Sequence, residues 1–439
     1  MNIALIAMSG IRCDDKELAA FGLSLPGFLD RGKTIASMPS LAILTLAGLT
    51  PPQHRVTYIE VPDLGQMPGL PEGDFDLVAI SSYTAQILEA YELADRFRAA
   101  KIPVVIGGPH ASVMPHEAAQ HCDAVVIGEG EPIWLQIISD AERGELQPFY
   151  GAQFSAFKME DAPMPAFHLL QPDRYNRLTV QTSRGCPHRC DFCAASILIA
   201  NRYKQKPARK VLAEIDAIRE IWRHPFIEFA DDNSFVNREY WHGLLPELRK
   251  RHIRWFAETD LTVADDAELL TKMYDAGCAQ VLIGLESPGA IGMDGMELNS
   301  NFKWKTYAKQ KEAVKRIQAH GVRVIGCFVL GLDGHGPDIG DRVLDYAQEL
   351  ELFDVQITVQ TPFPGTPLYA RYKFEERLIE PENWNKYTLF DVNFRPDGMT
   401  AKELRGVLRD LAERMYSSEL TQARRRRFRE NLRAAKQAC

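Results

Sequence analysis

In the first third of the chain, short apolar runs alternate with segments of helical periodicity. Leu88, Tyr91, Ala94 and Phe97 recur at the spacing of one helix face. The apolar runs between such segments are too short for most helices and are rich in residues that favour strands. The predicted strands are 2–8, 55–61, 75–81, 103–107 and 124–128. Strands that alternate with helices indicate an α/β fold with a doubly wound parallel sheet of the flavodoxin-like type.

The same alternation returns about six times after a proline-rich stretch at 161–167. It predicts strands at 178–182, 226–230, 255–258, 280–285, 322–330 and 354–359. Helical periodicity covers 211–222, 239–251, 267–276, 305–320 and 342–350. Six strand–helix units make a partial (β/α)6 barrel, whose reactive side is the carboxyl end of the strands. We therefore expect a sheet domain at 1–145, a linker at 146–176, the partial barrel at 177–361, and a helical C-terminal segment at 362–439 that covers the substrate site.

Composition and charge fit a large enzyme rather than a nucleic-acid or membrane protein. The 439 residues are 46% hydrophobic, and 51 basic against 59 acidic side chains give a net charge of −8. A negative balance argues against general nucleic-acid binding, and no apolar run reaches the roughly 18 residues of a transmembrane segment. The opening run is interpreted as a strand and not a secretion signal, so we expect a cytoplasmic protein. The basic run at 424–427 fits a solvated helix face better than a membrane or partner contact.

Three of the eight cysteines form the motif C-x3-C-x2-C, at Cys186, Cys190 and Cys193. A cubane iron–sulfur cluster takes four thiolates, so three at this spacing leave one iron open for chemistry. A structural zinc site is the first alternative, but the nearby His188 lies inside the loop, where reaching a shared metal would be strained. A disulfide framework is a weaker alternative because the cysteines show no even pattern along the chain.

Polar or small residues follow most of the predicted barrel strands. Asp231 follows the second strand, Glu258 closes the third, and Glu286 with Ser287 closes the fourth. An ammonium group, a carboxylate and a ribose diol need such acceptors and donors, so we expect a nucleotide site at these ends. Taken alone, any one of these acids is explained as a helix N-cap or an ion pair, which is the preferred interpretation for Asp232.

The predicted strands of the first sheet end in small residues, where ligands of doubly wound sheets bind. Glycines at these ends allow close approach of a bulky ligand to the backbone. The positions are Ser81, Ser82, Thr84, Gly107, Gly108, Gly128 and Glu129.

The cysteine motif, with Phe192 before its last cysteine, resembles the radical S-adenosylmethionine (SAM) superfamily. The resemblance implies a [4Fe–4S] cluster on Cys186, Cys190 and Cys193, with SAM on the open iron. It assigns the barrel strand ends to SAM binding, through Phe192, Asp231, Glu258, Glu286, Ser287 and Phe328. It also implies an external electron donor of the flavodoxin or ferredoxin type and a small-molecule substrate.

The first domain resembles the cobalamin-binding domain that precedes many radical SAM enzymes, which assigns its small strand-end residues to cobalamin. The Asp-x-His-x-x-Gly motif that supplies an axial histidine elsewhere is absent, and a relic or substrate-shaping domain is the alternative. GLES at 284–287, PFPGTP at 362–367 and the W-x-x-Y at 384–387 resemble a subgroup that includes hopanoid and bacteriochlorophyll methylases and the anaerobic chlorophyll ring cyclase.

That resemblance implies a cobalamin-dependent radical methyltransferase that acts at an unactivated carbon of a small or lipid-like metabolite. Two alternatives stay open. One is a radical oxidation, cyclisation or rearrangement without methyl transfer. The other is an iron–sulfur electron-transfer protein, which would cap every iron with a protein ligand and would not need a nucleotide site.

Overall fold

The chain folds around two parallel six-stranded sheets that follow one another in sequence. The computed structural model describes residues 1–10, 13–20, 38–152, 154, 157–200 and 202–438. Among these residues, no helix combines the length and the apolar character needed to cross a membrane.

The first sheet contains six strands and is doubly wound. Its strands are β1 (Asn2–Met8), β2 (Arg55–Val61), β3 (Leu77–Ser81), β4 (Val104–Gly107), β5 (Ala124–Gly128) and β6 (Phe149–Ala152). Its helices are α1 (Lys16–Ala20), α2 (Leu41–Leu49), α3 (Ile87–Ala99), α4 (Pro109–Val113), α5 (Pro115–Ala118) and α6 (Trp134–Arg143). The spatial order β2-β1-β3-β4-β5-β6 reverses direction at β1, and the crevice beside such a reversal is the usual ligand site of these sheets.

Apolar side chains cover both faces of this sheet, which explains the unbroken apolar runs in its sequence. Along β1, Ala4 and Ile6 pack into the core on one face, and Ile3 and Leu5 pack into the core on the other.

The strand β6 was not predicted, and it lies past the expected boundary at residue 145. It is short, and only Tyr150 among its four residues is buried. Gly151 has a φ of +80°, and a Cβ there would lie 2.5 Å from the carbonyl oxygen of Ile127. A glycine therefore lets β6 pair with β5, and such a residue breaks an apolar pattern.

The second sheet runs in simple sequence order, as a partial barrel does. Its strands are β7 (Leu178–Val180), β10 (Phe226–Phe229), β11 (Arg254–Thr259), β12 (Cys278–Glu286), β13 (Arg323–Leu330) and β14 (Asp354–Val359), while β8 (Ser183–Arg184) and β9 (Lys204–Gln205) form a separate antiparallel pair. Its helices are α7 (Ala208–Ile221), α8 (Arg238–Arg251), α9 (Ala267–Asp275), α10 (Phe302–Thr306), α11 (Gln310–Ala319) and α12 (Ile339–Glu349). β7 and β14 are the two edges of the sheet, so it stays open.

The C-terminal segment contacts both sheets. It contains α13 (Pro367–Phe374), α14 (Ala401–Met415) and α15 (Ser418–Ala438). Leu404 and Leu408 of α14 join the core of the barrel, whereas Trp384 and Tyr387 join a core of the first sheet. The expected α/β class, with a doubly wound sheet, a partial barrel and a helical C-terminal segment, is confirmed.

Candidate functional site

The three cysteines lie on the loop that follows β8 at the carboxyl end of the barrel strands. Cys190 is buried, whereas Cys186 and Cys193 are half-buried. The loop is tied to the segment after β12, because Asp191 N–H donates to the carbonyl of Met296 at 2.8 Å. The amide of Cys193 donates to the carbonyl of Cys190 at 3.0 Å. These bonds fix the backbone that carries the thiols.

Glu297 holds the cysteine loop and the segment after β12 together. This buried carboxylate accepts from the backbone N–H groups of Arg189, Asn299, Ser300 and Phe302 at 2.8–3.1 Å. Burial raises the pKa of Glu297, but these hydrogen bonds outweigh it and hold the pKa well below its usual range. Our sequence analysis missed Glu297, because a lone acid in a loop carries no pattern.

A chain of hydrogen bonds connects the cysteine loop to the ends of β10 and β11. Asn233 Nδ2 donates to Asp260 Oδ2 at 2.8 Å and lies 3.9 Å from Cys186 Sγ. His188 Nε2 lies 2.9 Å from the same Asp260 oxygen, and its ring stacks on Phe302. His188 is thus engaged by a carboxylate, which agrees with our rejection of it as a metal ligand.

Asp231 and Asp232 fix the exit of β7. Asp231 accepts from the Thr182 and Ser183 amides at 2.7 and 2.9 Å, and also from the Thr182 hydroxyl. Burial raises the pKa of Asp231 to about 6 against these hydrogen bonds. Asp232, which we interpreted as a helix N-cap or an ion-pair partner, accepts from the Gly185 amide at 2.8 Å. Both oxygens of Asp231 are occupied, and its contacts are those of a residue that shapes the loop.

The thiols and their surroundings fit a bound metal cluster. Burial, opposed only in part by local hydrogen bonds, raises the pKa of Cys186 to about 11, so a bound cation is needed to hold its thiolate at neutral pH. Within the described residues, no three His, Cys, Asp or Glu side chains lie together as ligands of one metal ion. A cubane places each thiolate on a different iron, so its ligands do not converge on one point.

Glu258 points into the barrel as a half-buried carboxylate. It forms no hydrogen bond or ion pair with any described residue. Burial, followed by the negative charges of Glu228 and Asp232, raises the pKa of Glu258 to about 8. A group of this kind is suited to a cationic or hydroxyl ligand.

Glu286 stands close to Glu258 but is already paired. Lys303 Nζ lies 2.8 Å from Glu286 Oε1 and donates to the carbonyl of Gly284, also at 2.8 Å. Burial lowers the pKa of Lys303, but the charges of Glu286 and of the nearby Cys190 outweigh it and raise the pKa. Lys303 is a second residue that the sequence analysis missed.

Two predicted SAM contacts are fully buried against other protein side chains. The Ser287 side chain is fully buried, and its hydroxyl lies 3.0 Å from Nε2 of the buried His335. Phe328 is also fully buried and packs on Tyr346 of α12. Side chains alternate along a strand, so the interior position of β13 belongs to Cys327, which lies near Glu258 and Glu286. Phe192 is half-buried and packs on an apolar group that includes Met293 and Val329.

Most of the predicted cobalamin contacts shape the edge of the first sheet. Thr84 is buried, with its hydroxyl 3.2 Å from His110 Nδ1. Ser82 is buried, and its hydroxyl donates to the carbonyl of Tyr83 at 2.9 Å. Gly108 has a φ of +104°, and a Cβ there would lie 2.7 Å from the Ser82 carbonyl oxygen. The structure therefore requires a glycine at Gly108 for a contact within the protein.

The remaining predicted residues divide into two groups. Ser81, Gly107 and Gly128 lie half-buried at the carboxyl edge of the sheet, where a ligand can reach them. Glu129 is buried and forms ion pairs with Arg184 and Lys204 of the barrel domain.

Tyr83 is the most informative residue that the sequence analysis missed at this edge. Its side chain is 57% exposed at the carboxyl edge of the first sheet, and Glu228 is the charged residue that acts on its phenol. Glu228 belongs to β10, so Tyr83 projects from the first sheet into the space in front of the barrel. Glu129 and Glu131 also pair with Arg184 of β8, so the carboxyl edge of the first sheet contacts the barrel domain.

Comparisons with known proteins agree with this arrangement. Residues 180–347 match the model of the radical SAM superfamily, and residues 38–137 match the B12 binding domain. The chain is 25% identical over 370 residues to the bacteriochlorophyllide d C-8(2)-methyltransferase of Chlorobaculum tepidum, covering 81% of each protein. It is 26% identical over 360 residues to the hopanoid C-2 methylase of Rhodopseudomonas palustris, covering 79% of this chain and 67% of that protein.

Two solved structures share the fold. TsrM from Kitasatospora setae, with cobalamin and a [4Fe–4S] cluster bound, gives a TM-score of 0.65 at 16% identity and covers all of both chains. OxsB, with aqua-cobalamin and SAM bound, gives a TM-score of 0.67 at 14% identity, covering 92% of this chain and 65% of that one.

The fold and the two matched domains define a radical SAM enzyme. More particularly, the chain combines a B12 binding domain with a radical SAM domain that follows it in sequence. The family resemblance is confirmed, and the cofactors that it implied, a [4Fe–4S] cluster, SAM and cobalamin, are supported by both domain matches.

Proposed function

We propose that this chain is a cobalamin-dependent radical SAM methyltransferase that acts at an unactivated carbon of a small or lipid-like metabolite. The observation that carries the proposal is the contact between the carboxyl edge of the first sheet and the β8–β9 pair that begins the cysteine loop, made by Glu129 and Glu131 with Arg184. When bound, the cluster and SAM supply a 5′-deoxyadenosyl radical, and cobalamin supplies the methyl group. The methyltransferases among its relatives support the same assignment.

We assign the cluster to Cys186, Cys190 and Cys193, and Glu258 to the ammonium group or the ribose hydroxyls of SAM. A carboxyl group that is unpaired and half-buried gains most from such a partner, because an adjacent cation favours its ionised form. Phe192 lies next to Cys193 and offers an apolar surface. In contrast to our expectation, Asp231, Ser287 and Phe328 act by supporting these residues.

We assign cobalamin to the carboxyl edge of the first sheet formed by Ser81, Gly107 and Gly128, with Tyr83 against the ligand. Ser81, Gly107 and Gly128 are predicted residues that are half-buried at this edge. Tyr83, which was not predicted, adds an exposed aromatic ring. The reductant is proposed to be a flavodoxin or ferredoxin type protein, which can approach the exposed Arg189 next to Cys190.

The test is anaerobic reconstitution followed by reduction in the presence of SAM. The wild-type protein should contain about four irons, retain cobalamin, and release 5′-deoxyadenosine. Changing Cys186, Cys190 and Cys193 together to Ala should abolish iron and 5′-deoxyadenosine while cobalamin is retained. Cys122→Ala removes a buried thiol of the first domain and should keep all three properties.

Two results would contradict the proposal in different ways. Iron that survives the triple change would refute the cluster assignment. If 5′-deoxyadenosine forms but no methyl group moves from labelled SAM into any product, the reaction is a radical oxidation, cyclisation or rearrangement.

A further inference from the structure

Four charged side chains join the two sheets directly beside the cysteine loop. Arg184 Nη1 lies 2.5 Å from Glu129 Oε1, and Arg184 Nη2 lies 2.8 Å from Glu131 Oε1. Lys204 Nζ lies 2.8 Å from Glu129 Oε2. All four side chains are 17% exposed or less. We call Glu129, Glu131, Arg184 and Lys204 the interdomain ion cluster.

The position of this ion cluster relates it to both proposed cofactor sites. Glu129 directly follows Gly128, at the carboxyl edge of the first sheet where cobalamin is proposed to bind. Arg184 stands two residues before Cys186, on β8, and Lys204 is its partner across the β8–β9 pair. Gly185, between Arg184 and Cys186, has a φ of +87°, and a Cβ there would lie 2.6 Å from the Arg202 carbonyl oxygen. A displacement of Arg184 therefore moves the start of the cysteine loop.

Stability alone does not explain why these charges are buried. Removing ionised groups from water costs several kcal/mol each, and apolar residues of similar volume are often as stable. Arg184 uses its planar fork on two carboxylates at once, which fixes direction as well as distance. If the ion cluster fixes the geometry where the two sheets meet, both the burial of these charges and the contact of Arg184 with two carboxylates are explained.

We propose that the interdomain ion cluster couples the two cofactor sites, so that cobalamin on the first sheet and SAM on the iron–sulfur cluster bind cooperatively. Glu129 and Arg184 are positioning residues in this mechanism and contact neither cofactor. The inference rests on the proposed function, because it requires that both cofactors bind where we place them.

The experiment measures cobalamin affinity by spectral titration with and without the reconstituted cluster and SAM. In the wild-type protein, cluster and SAM should tighten cobalamin binding at least about fivefold, the lower end of common coupling strengths. Arg184→Gln should bring that ratio to about one while iron content and the affinity of the cluster-free protein stay unchanged. Arg143→Gln is the control. Arg143 pairs with Asp140 and Glu145 and is not part of the interdomain ion cluster, so this variant should keep the wild-type ratio of cobalamin affinities.

A second variant distinguishes coupling from direct contact with cobalamin. Like Arg184→Gln, Glu129→Gln should make the cobalamin affinity the same with and without the cluster and SAM. If it instead weakens cobalamin binding in the cluster-free protein, Glu129 contacts the cofactor and the proposal is wrong. If Arg184→Gln does not retain iron, Arg184→Lys is the substitute variant. It keeps the charge but cannot bind two carboxylates through one planar group, so it should also lose the coupling.

A wild-type ratio of one would also overturn the inference and leave the proposed function standing. Failure to bind cobalamin under any condition would instead refute the proposed function.

Discussion

Glu258 and Glu286 end neighbouring strands of one sheet, yet the structure gives them opposite surroundings. Glu286 is matched by Lys303, whose Nζ lies 2.8 Å from Glu286 Oε1. Glu258 has no such partner and stands among like charges. The residue type was readable from the sequence, but the difference depends on a lysine that lies on a helix after the strand.

The unpaired state of Glu258 predicts a pH-dependent stability. Because its pKa is raised from 4.5 to about 8 in the folded chain, the folded state keeps a proton that the unfolded state loses between these values. Stability therefore falls as pH rises through this window. Glu258→Gln should stabilise the cofactor-free protein at pH 8 by about 2 kcal/mol, after allowance for partial exposure, and have little effect near pH 4.5.

Thermal unfolding of the cofactor-free protein at the two pH values measures this effect. The exposed Glu72→Gln is the matched control and should change neither curve. The same Glu258→Gln variant should bind SAM more weakly with iron content unchanged. A variant that binds SAM normally would place the nucleotide elsewhere.

The three cysteines could be singled out in the sequence because their spacing is local, whereas the direction in which the predicted SAM contacts face could not be. Phe328 and Cys327 differ by one position, and in a strand that step reverses the face. The sequence around them is apolar on both sides, so it does not indicate which residue faces the interior. Ser287 follows the end of β12, where a β-bulge near Gly284 and Glu286 disturbs the alternation.

At the scale of elements, eleven of the twelve strands in the two sheets were predicted, because β-rich runs between amphipathic helices are a strong signal. The exception, β6, is short and interrupted by a glycine. The glycines at strand ends indicate room for a ligand, and Gly108 shows the limit of that interpretation. Its missing side chain makes room for the neighbouring strand end at Ser82.

Gly108→Ala should therefore destabilise the first sheet for two reasons, an unfavourable φ and a clash with Ser82. Gly10→Ala is a matched control, since Gly10 has a φ of +99° and no atom of the described residues lies within 4 Å of an added Cβ. We expect about 1 kcal/mol of loss at Gly10 and about 1–3 kcal/mol more at Gly108. Chemical unfolding monitored by circular dichroism measures both, and equal losses would show that Ser82 relaxes freely.

At the scale of the molecule, the order of the domains follows from the sequence, but the contacts between them do not. The ion cluster connects residues more than fifty positions apart, and the contact of Glu117 with Trp384 spans 267 positions. No periodicity connects such residues. Glu117 and Trp384 meet because the C-terminal segment returns from the barrel to the first sheet.

Trp384 makes the contact by which the C-terminal segment is attached to the first sheet. Its indole N–H donates to the Glu117 carboxylate at 3.1 Å, and its ring packs edge-on against His110 at a centroid distance of 4.9 Å. Tyr91 also donates to Glu117, at 2.9 Å. Trp384→Phe keeps an aromatic ring in place but removes the donor, so it should weaken the attachment of the C-terminal segment by about 1–2 kcal/mol, since Glu117 remains partly exposed.

Native-state hydrogen exchange tests this prediction, because loss of one attachment should raise local opening without unfolding the barrel. Amides of residues 376–400 should exchange about five- to thirtyfold faster in Trp384→Phe, which follows from that loss of free energy, while those of β10 to β13 should not change. Trp304→Phe alters a tryptophan that is 46% exposed and should leave both regions unchanged. Uniform acceleration across the barrel would mean that the C-terminal segment unfolds only with the whole domain, and that Trp384 acts as a core residue.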